Sequence, residues 1–527
     1  MIEFKYKKTS KFLVMGISGT LMALCGFLIY YFDPLNVIIK AFAVLAPNSI
    51  LFKIWSKPPY EINVNVYIFN ITNSKEFLEN GDKLQLEQIG PYVYQEIITN
   101  TDGHFNDNGT ITFAPKRHLV FKRELSVGDT KEDRIIAANI PLLGISSSLK
   151  DKSFFVNFVV ANIATALDSQ IFLELTIDEY LWGYDDKLVD LANKALPNWI
   201  NFPRFGIMDR MMALDNASNV VTIKTKSDVQ MRNSYQSESE REMLYTISEF
   251  NGSPGLHHWG FKDDDWESNS KCNTVEGVFV EGLFTPDMDL NNTLRLYRRA
   301  FCRPVDFRFE KKEVFKGYDA NVFRVDPLFL ARPEENPDNA CYCYKGKCPK
   351  KGLSYLTPCY YDIPVAISQP HYLNSDPSLS EQVIGMEPNV ELHDSTLKVH
   401  SQLGVPLEAK LRIQINLEID TRLNNRCKPM NGLTLPLFWL ELDIVDLPTQ
   451  VDWILYMLYN ILPISQIVLM WLFILFGPAL VAAAALISFY TPHNHGLEDP
   501  YANRIGYSPI RIIPMTAYLN ENLRISK

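Results

Sequence analysis

The sequence lacks an excess of basic residues. It contains 51 Lys and Arg against 61 Asp and Glu, for a formal net charge of -10. A protein that binds nucleic acid must neutralise phosphates with a basic surface, so this balance argues against a nucleic-acid partner. Disorder is also not expected, because 47% of the 527 residues are hydrophobic and 21% are charged. Such a chain should fold into one to three domains.

Recognised catalytic motifs are missing as well. The chain has no Gly-x-Ser-x-Gly nucleophile motif and no Gly-rich phosphate-binding loop. His257 and His258 near Asp263 imitate a metal site, although a solvated loop is the simpler interpretation, and His371 imitates half of a hydrolase pair. We therefore expect no catalytic residue, no cofactor and no metal site, and a protein that is not an enzyme.

Charged residues are absent from Phe12 to Phe32, near the amino terminus. A helix needs roughly 20 apolar residues to cross a bilayer, so this stretch is long enough. A cleaved signal peptide would have a shorter apolar core and small residues after it, whereas Asp33 and Pro34 follow here. Residues 1–11 are expected in the cytosol by the positive-inside rule, because four lysines precede the stretch: Lys5, Lys7, Lys8 and Lys11.

A second uncharged stretch runs from Trp453 to Pro492. It is longer than one span, and a proline can begin a helix, so Pro463 predicts a span over 464–490 with a kink at Pro478. Residues 453–462 would then lie at the membrane interface. Two spans place residues 33–463 outside the cytosol and residues 491–527 in a cytosolic tail.

Cysteines and glycosylation triplets agree with that topology. Cys25 lies in the first span and Cys427 stands alone, while six cysteines cluster between residues 272 and 359: Cys272, Cys302, Cys341, Cys343, Cys348 and Cys359. An even cluster in an oxidising compartment indicates disulfides, and six cysteines allow 15 pairings. Zinc is the weaker reading of these residues because no histidine lies close by. Five Asn-x-Ser/Thr acceptors also fall between the spans, namely Asn70, Asn108, Asn216, Asn251 and Asn291.

Strict alternation of apolar and polar residues predicts strands in the central region. Glu61 to Val66 alternates, and so does Leu411 to Asp420, where one face is apolar and the other polar. Period two indicates strands with one buried face. Shorter candidates occur at 110–113, 118–121, 220–225 and 321–325. Strands of this kind, separated by turns, predict an antiparallel sheet or barrel.

Residues 153–196 contain Gly183 as their single glycine and no proline, so they are predicted to be helical. The run from Phe154 to Leu167 is almost wholly apolar but too short to span a bilayer. A buried core helix is the simpler interpretation. The alternative is a partly exposed helix at a lipid entrance or a partner surface.

Several short motifs, taken in order, resemble one family. The matching segments cover nearly the whole chain: Trp55 with Pro58-Pro59, Tyr67–Asn73, Gly90–Tyr94, Leu181–Tyr184, Glu335–Asn339 followed by Cys341 and Cys343, and Ser368–His371. With a span at each end, this series is similar to the class B scavenger receptors.

That resemblance implies an α+β fold in which an antiparallel β-barrel-like ectodomain carries a helical cap at residues 151–215 and encloses a hydrophobic tunnel. A disulfide-rich region would cover residues 272–359. The implied disulfide pairs are Cys272–Cys341, Cys302–Cys359 and Cys343–Cys348, which leave Cys427 free.

The resemblance also implies a glycoprotein of the plasma membrane that binds lipid or lipoprotein ligands and mediates their uptake or their transfer to the membrane. A receptor for protein, debris or microbial particles is the main alternative, and an adhesion protein is a third. The expected ligand contacts lie on the cap: Phe154, Phe155, Phe158 and Val159. Some family members carry cap lysines where this chain has Ala166 and Asp168. Electrostatic capture of anionic lipoprotein at that point is therefore not expected.

The carboxy-terminal tail contains Tyr507-Ser508-Pro509-Ile510, which fits the Tyr-x-x-Φ pattern that clathrin adaptors bind. The pattern predicts cycling between the plasma membrane and endosomes or lysosomes. Replacing Tyr507 with Ala should raise the amount of protein at the cell surface, measured by surface biotinylation. Unchanged surface levels and unchanged uptake would contradict the interpretation.

Overall fold

The computed structural model describes residues 2–215, 217, 219–226, 243–280, 282–421, 424–444 and 446–490. Two compact units are present. One consists of the described terminal residues, 2–32 and 466–490, and the other of the described residues between 33 and 465. The helices of the described residues are α1 Ile2–Phe32, α2 Pro34–Phe42, α3 Ile50–Ser56, α4 Ser74–Asn80, α5 Ile140–Ser148, α6 Phe154–Ala166, α7 Ile177–Trp182, α8 Lys187–Ala195, α9 Ile207–Asp215, α10 Pro377–Ser380, α11 Val390–His393, α12 Thr449–Tyr456 and α13 Leu462–Tyr490.

The strands of the described residues are mostly short, and five of them exceed ten residues. They are β1 Ile62–Ile71, β2 Leu86–Asn106, β3 Thr110–Phe121, β4 Arg134–Ala138, β5 Phe172–Thr176, β6 Val221–Lys224, β7 Ile247–Phe250, β8 Phe279–Val280, β9 Leu294–Tyr297, β10 Pro304–Phe315, β11 Tyr318–Val325, β12 Ser354–Tyr355, β13 Val365–Ser368, β14 Thr396–His400, β15 Pro406–Glu418 and β16 Thr434–Ile444.

One large sheet forms the body of the main unit. Its strand order is β7-β6-β3-β2-β1-β16-β15-β14-β11-β10-β9-β8, and β12 and β13 branch from it through β15. The two end strands meet, because Thr246 pairs with Phe279 and the Ile247 N–H donates to the Val278 carbonyl at 2.7 Å. The sheet is therefore nearly closed, as predicted, and alternate side chains of each strand point to its interior.

Alternation located five of the strands, namely β1, β3, β6, β11 and β15, but misjudged the burial of one. The sequence pattern assigns one buried face to Leu411–Asp420, yet Gln414 and Asn416 on the polar face of β15 are fully buried. Their amides are satisfied by each other and by β13, since Asn416 Nδ2 donates to the Ser368 hydroxyl at 2.9 Å. The expectation of a single buried face is wrong here because β13 and the turn after it supply partners on this face, among them the His371 N–H, which donates to Gln414 Oε1 at 2.7 Å.

The helical region also differs from its prediction. Residues 172–176 form β5, which pairs with β4, because Phe172, Leu173 and Leu175 pack against the hydrophobic core while Glu174 stays exposed. The helices before and after it remain, and α7 begins with a capping box in which Thr176 and Glu179 satisfy each other's backbone N–H groups. The prediction that residues 153–196 are helical is therefore wrong at β5.

Gly90 explains part of the Gly90–Tyr94 motif. Its φ is +141°, and a Cβ at this position would lie 2.7 Å from the Val66 carbonyl oxygen. β1 has an irregular register next to this point, between Val66 and Ile68. Only glycine lets β2 approach β1 so closely there.

Two helices are long and apolar enough to cross a membrane, and they lie at the two ends of the described chain. They are Lys11–Phe32 and Thr449–Tyr490. The second one begins earlier than Pro463 predicts, because α12, a π-helical turn at Met457–Ile461 and α13 follow one another without a break. Pro463 therefore lies inside continuous helical backbone and does not start it.

Small residues form the contact between α1 and α13 within the terminal unit. A Cβ at Gly19 would lie 2.7 Å from the Gly477 carbonyl oxygen, and a Cβ at Gly477 would lie 2.6 Å from the Ala23 nitrogen. Larger side chains at these two glycines would force the backbones apart. Close packing of small residues is the usual way in which membrane helices associate.

Replacing Gly19 with Leu should separate these helices. A Cβ at Gly16 lies 3.8 Å from the Ala484 Cβ, within disulfide range, so cysteines at both positions should cross-link in a Cys25→Ser background. Cleavage at a protease site inserted after Gly81 reports the cross-link, because an uncross-linked chain then gives two fragments on an SDS gel.

We expect Gly19→Leu to reduce cross-linking severely. The matched control is Thr20→Leu, a change of similar size on an exposed face of the same helix. Equal cross-linking in the two variants would show that the close approach at Gly19 is unnecessary.

Candidate functional site

A large cavity lies inside the sheet. It encloses about 960 Å³ not occupied by protein atoms, part of which is open to solvent. Inward residues of several strands line it, including Glu96, Ile98 and Asn100 of β2 and Leu442 and Ile444 of β16. We call this space the large cavity. Its wall is mostly apolar.

Four smaller cavities form a connected series with the large cavity, in which neighbouring cavities share lining residues. A cavity of about 500 Å³ shares Leu51, Ile54, Tyr60 and Val405 with the large cavity. On another side, a cavity of about 570 Å³ shares Leu296 and Leu411 with it. Those of about 300 and 460 Å³ continue the series, linked through Arg298, Phe301 and Met211. The interior of the main unit therefore holds neighbouring apolar spaces rather than one uniformly packed core.

Four buried charges lie where these cavities adjoin. Arg298 Nη2 lies 2.6 Å from Glu96 Oε1 and its Nε lies 2.7 Å from Asp215 Oδ2, while Arg117 Nε lies 3.5 Å from Glu96 Oε1. We call these four residues the ionic cluster. Two acids balance two bases, and every member is at most 9% exposed. Buried ion pairs of this kind contribute little net stability against an apolar replacement, but losing one partner is costly.

The alternation of side chains along β2 explains why the ionic cluster lies in the interior. On β2, Tyr92, Tyr94 and Glu96 occupy alternate inward positions, so the carboxylate enters the interior by the same rule as the aromatic rings. Asp215 ends α9, and its Oδ1 also accepts the Ala300 N–H at 2.9 Å. None of these four residues was predicted from the sequence, because they are far apart in the chain and β2 was not predicted as a strand.

A second buried polar group surrounds His371, which the sequence motif had singled out. The His371 and His393 rings stack at 4.3 Å, and Trp439 lies edge-on to His393. His371 Nδ1 accepts the Glu387 N–H at 3.0 Å, so its Nε2 carries the proton and donates to Gln88 Oε1 at 2.7 Å. With both nitrogens committed, His371 does not form half of a hydrolase pair.

Burial lowers the pKa of both stacked histidines to about 4. For His371 the desolvation is reinforced by the charge of His393, and for His393 by that of Arg412. Desolvation disfavours the charged imidazolium, and a positive neighbour disfavours it further. Both rings are therefore neutral near pH 7.

The disulfide-rich region contains the three pairs that the family resemblance implies. Their Cα–Cα distances are 6.0 Å for Cys272–Cys341, 6.0 Å for Cys302–Cys359 and 4.1 Å for Cys343–Cys348. Cys25 and Cys427 are free, and Cys427 is buried.

His258 is only partly exposed, so the expected solvated loop is wrong for this residue. Its Nε2 lies 3.1 Å from the Cys302 carbonyl oxygen, and burial with the nearby Arg299 lowers its pKa to about 4. Cys302 and Cys359 lie close enough to His258 to resemble a metal-ligand set. Their sulfurs are bonded to each other, however, and a disulfide does not ligate a metal as thiolates do.

Helix α6 is mostly exposed, so the buried-core interpretation of this apolar run is wrong. Phe154 and Phe155 are 71% and 72% exposed, and Phe158 and Val159 are also exposed. Only Asn157 and Ala164 of the helix are buried. We call Phe154, Phe155, Phe158 and Val159 the α6 patch. Exposed apolar patches are common at interaction sites.

The predicted glycosylation acceptors have different surroundings. Asn108, Asn251 and Asn291 are exposed, whereas Asn70 is half-buried and its Oδ1 accepts the Ile136 N–H at 2.9 Å. Asn216, and the sorting residues Tyr507 and Ile510, lie outside the described residues.

The main unit has a nearly closed, mostly antiparallel sheet with an apolar series of cavities and helices packed beside it. With a candidate span at each end of the described chain, these features define a two-span membrane protein with one large hollow domain. Sequence comparison gives its family. The sequence model of the CD36 family matches residues 17–488, and the chain belongs to that family. The predicted class B scavenger receptor relationship is thereby confirmed.

The chain is also similar to individual class B scavenger receptors. The chain is 27% identical to scavenger receptor class B member 1 of Sus scrofa over 431 residues, which cover 81% of this chain and 79% of that protein. It is 29% identical to lysosome membrane protein 2 of Homo sapiens over 379 residues, covering 71% and 73% of the two chains. The same protein of Mus musculus is 30% identical over 375 residues, covering 71% and 72%.

Acid should destabilise the main unit through the stacked histidines. Their pKa values of about 4 lie below the ordinary value of 6.5, so the unfolded chain binds more protons between these limits. The contribution of the two histidines to the free energy of unfolding is therefore fully present above about pH 6.5, and it is lost as the pH drops toward 4. His393→Phe keeps a ring but cannot titrate, so its thermal unfolding temperature should fall less over this range than that of the wild type. Parallel pH profiles would contradict this role.

Proposed function

We propose that this protein binds lipid or lipoprotein ligands through its main unit and mediates their uptake or transfer to the membrane. The series of apolar cavities inside the sheet is the observation that carries this proposal. An acyl chain that enters such a space loses its contact with water, which supplies roughly 0.8 kcal/mol for each CH₂ group. No bond is made or broken, so the protein acts as a receptor and not as an enzyme.

The smaller cavity of about 500 Å³ connects this proposal to the membrane. Its lining includes Phe42 and Ala43, which follow the first span closely in sequence, and Leu455 and Leu458, which belong to the second apolar helix. Because these residues also adjoin the large cavity through Leu51 and its neighbours, the series reaches the segments that lead to both spans. We propose this end as the exit for lipid.

The α6 patch is the proposed first contact for ligand. None of its four residues lines any of the five cavities described above. The α6 patch therefore captures ligand at the protein surface and does not hold it inside the cavities. Aromatic rings suit this role because they present a large apolar area at a small cost in conformational entropy.

A second candidate function is a receptor for proteins, debris or microbial particles. The same exposed aromatic patch favours it, since exposed aromatic anchors are typical of protein interfaces. In that case the cavities would have no part in binding. Under either function we propose a plasma membrane location with both termini in the cytosol and cycling through endosomes, in which Tyr507 and Ile510 contact a clathrin adaptor.

The first test is mass spectrometry of lipids extracted from the purified, glycosylated protein, combined with titration by labelled fatty acid, sterol and carotenoid. We expect a stoichiometric lipid that these competitors displace. A protein that carries no lipid and also fails the titration would favour recognition of proteins or particles at the α6 patch.

Filling the large cavity separates the two functions. Ala409 is buried in its wall on β15, so Ala409→Trp should abolish lipid binding while particle capture persists. The neighbouring Lys410 lies on the opposite face of the strand, and Lys410→Trp is the matched control that should bind lipid normally. Normal lipid binding by Ala409→Trp would contradict a role for the large cavity.

A further inference from the structure

Glu96 gives the large cavity a chemical preference that its apolar wall alone does not explain. Among the described residues that line the large cavity, Glu96 is the only charged one. It is 2% exposed and is held on β2 between apolar inward neighbours. A ligand in this space therefore meets a carboxylate at one point of an otherwise apolar surface.

Arg298, the donor closest to that carboxylate, is already engaged. Arg298 Nε binds Asp215 and its Nη2 binds Glu96, and the ionic cluster has no net charge to attract an anion. In the cavity wall, the Tyr60 hydroxyl donates to the Pro406 carbonyl at 3.1 Å. Asn100 Nδ2 likewise donates to the Trp55 carbonyl at 2.8 Å.

Acceptor capacity remains at Glu96. A carboxylate has about four lone-pair sites, and the arginine contacts within 3.5 Å are two to Oε1 and one longer contact, at 3.4 Å, to Oε2. Oε2 therefore has room for a further donor. A hydroxyl group supplies such a donor, whereas an ionised carboxylate supplies none and brings a second negative charge to a buried site.

We propose that the large cavity selects apolar molecules that carry a neutral, hydrogen-bond-donating head, such as a fatty alcohol or a sterol, and discriminates against ionised fatty acids through Glu96. The apolar part of the ligand occupies the wall formed by residues such as Ile98 and Leu442, and its hydroxyl donates to Glu96 Oε2. This inference rests on the proposed lipid-binding function and specifies its ligand class.

Three probes with the same 18-carbon chain test the preference on the full-length protein in detergent. Oleyl alcohol has a donor, methyl oleate is neutral without a donor, and oleate is an anion at pH 7.4. Each competes with radiolabelled oleyl alcohol. We expect affinity to fall in that order, with the alcohol at least about tenfold tighter than oleate, since an unpaired buried charge is the costliest of the three.

The outcomes separate this inference from the function on which it rests. If oleate competes as well as oleyl alcohol, selection by Glu96 is wrong while lipid binding stands. Failure of all three probes to bind would overturn both. This series uses the wild-type protein, so it does not depend on the folding of any variant.

Two variants test whether Glu96 causes the preference for the alcohol over oleate. Glu96→Gln preserves shape and removes the negative charge, so it should narrow the preference for alcohol over oleate several-fold or reverse it. The matched control is Glu441→Gln, because Glu441 also forms a buried ion pair, with Arg412, but lies on β16 between the inward Leu440 and Leu442. It should keep the wild-type preference. Equal changes in both variants, or no change in Glu96→Gln, would overturn the assignment.

Discussion

Closure of the large sheet is the constraint on which the rest of the main unit depends. The end strands β7 and β8 meet through the Thr246–Phe279 pair, so every strand between them must send alternate side chains into one enclosed space. That rule puts Tyr92, Tyr94 and Glu96 inside together, whatever their polarity. The cavities exist because the enclosed side chains do not fill the space that the ring of strands defines.

The ionic cluster follows from the same constraint. Once register has directed Glu96 inward, a buried carboxylate must find partners, and Arg117 of the adjacent β3 and Arg298 after β9 supply them. Asp215 then balances the positive charge of Arg298. The cluster is neutral as a whole, yet it presents different members to different cavities. A neutral group of charges can thus make one space acceptor-rich without making the interior charged.

Period-two alternation was sufficient to predict an antiparallel sheet and five of its strands, although it missed long strands such as β2 and β16. Uncharged length was sufficient to predict two candidate spans. Motif order predicted the family. Alternation failed to describe β15, because burial of Gln414 and Asn416 depends on partners from β13 and the turn after it, which are distant in sequence. Composition likewise failed for α6, since an all-apolar helix is usually buried, and only the tertiary structure shows that its aromatic side chains face outward. The ionic cluster was missed because its members are far apart in the chain and each is ordinary alone.

The pairing of β1 with β16 has a mechanical consequence. Ile62 and Ile444 are register partners, so the segments that lead to the two spans leave the sheet from the same end of one antiparallel strand pair. A force that draws those segments apart would load the inter-strand hydrogen bonds one after another, as in a zipper, and not all at once. The three disulfides lie within residues 272–359 and cannot share that load. Resistance to tension between the two anchors therefore depends on the packing of the terminal helices against each other.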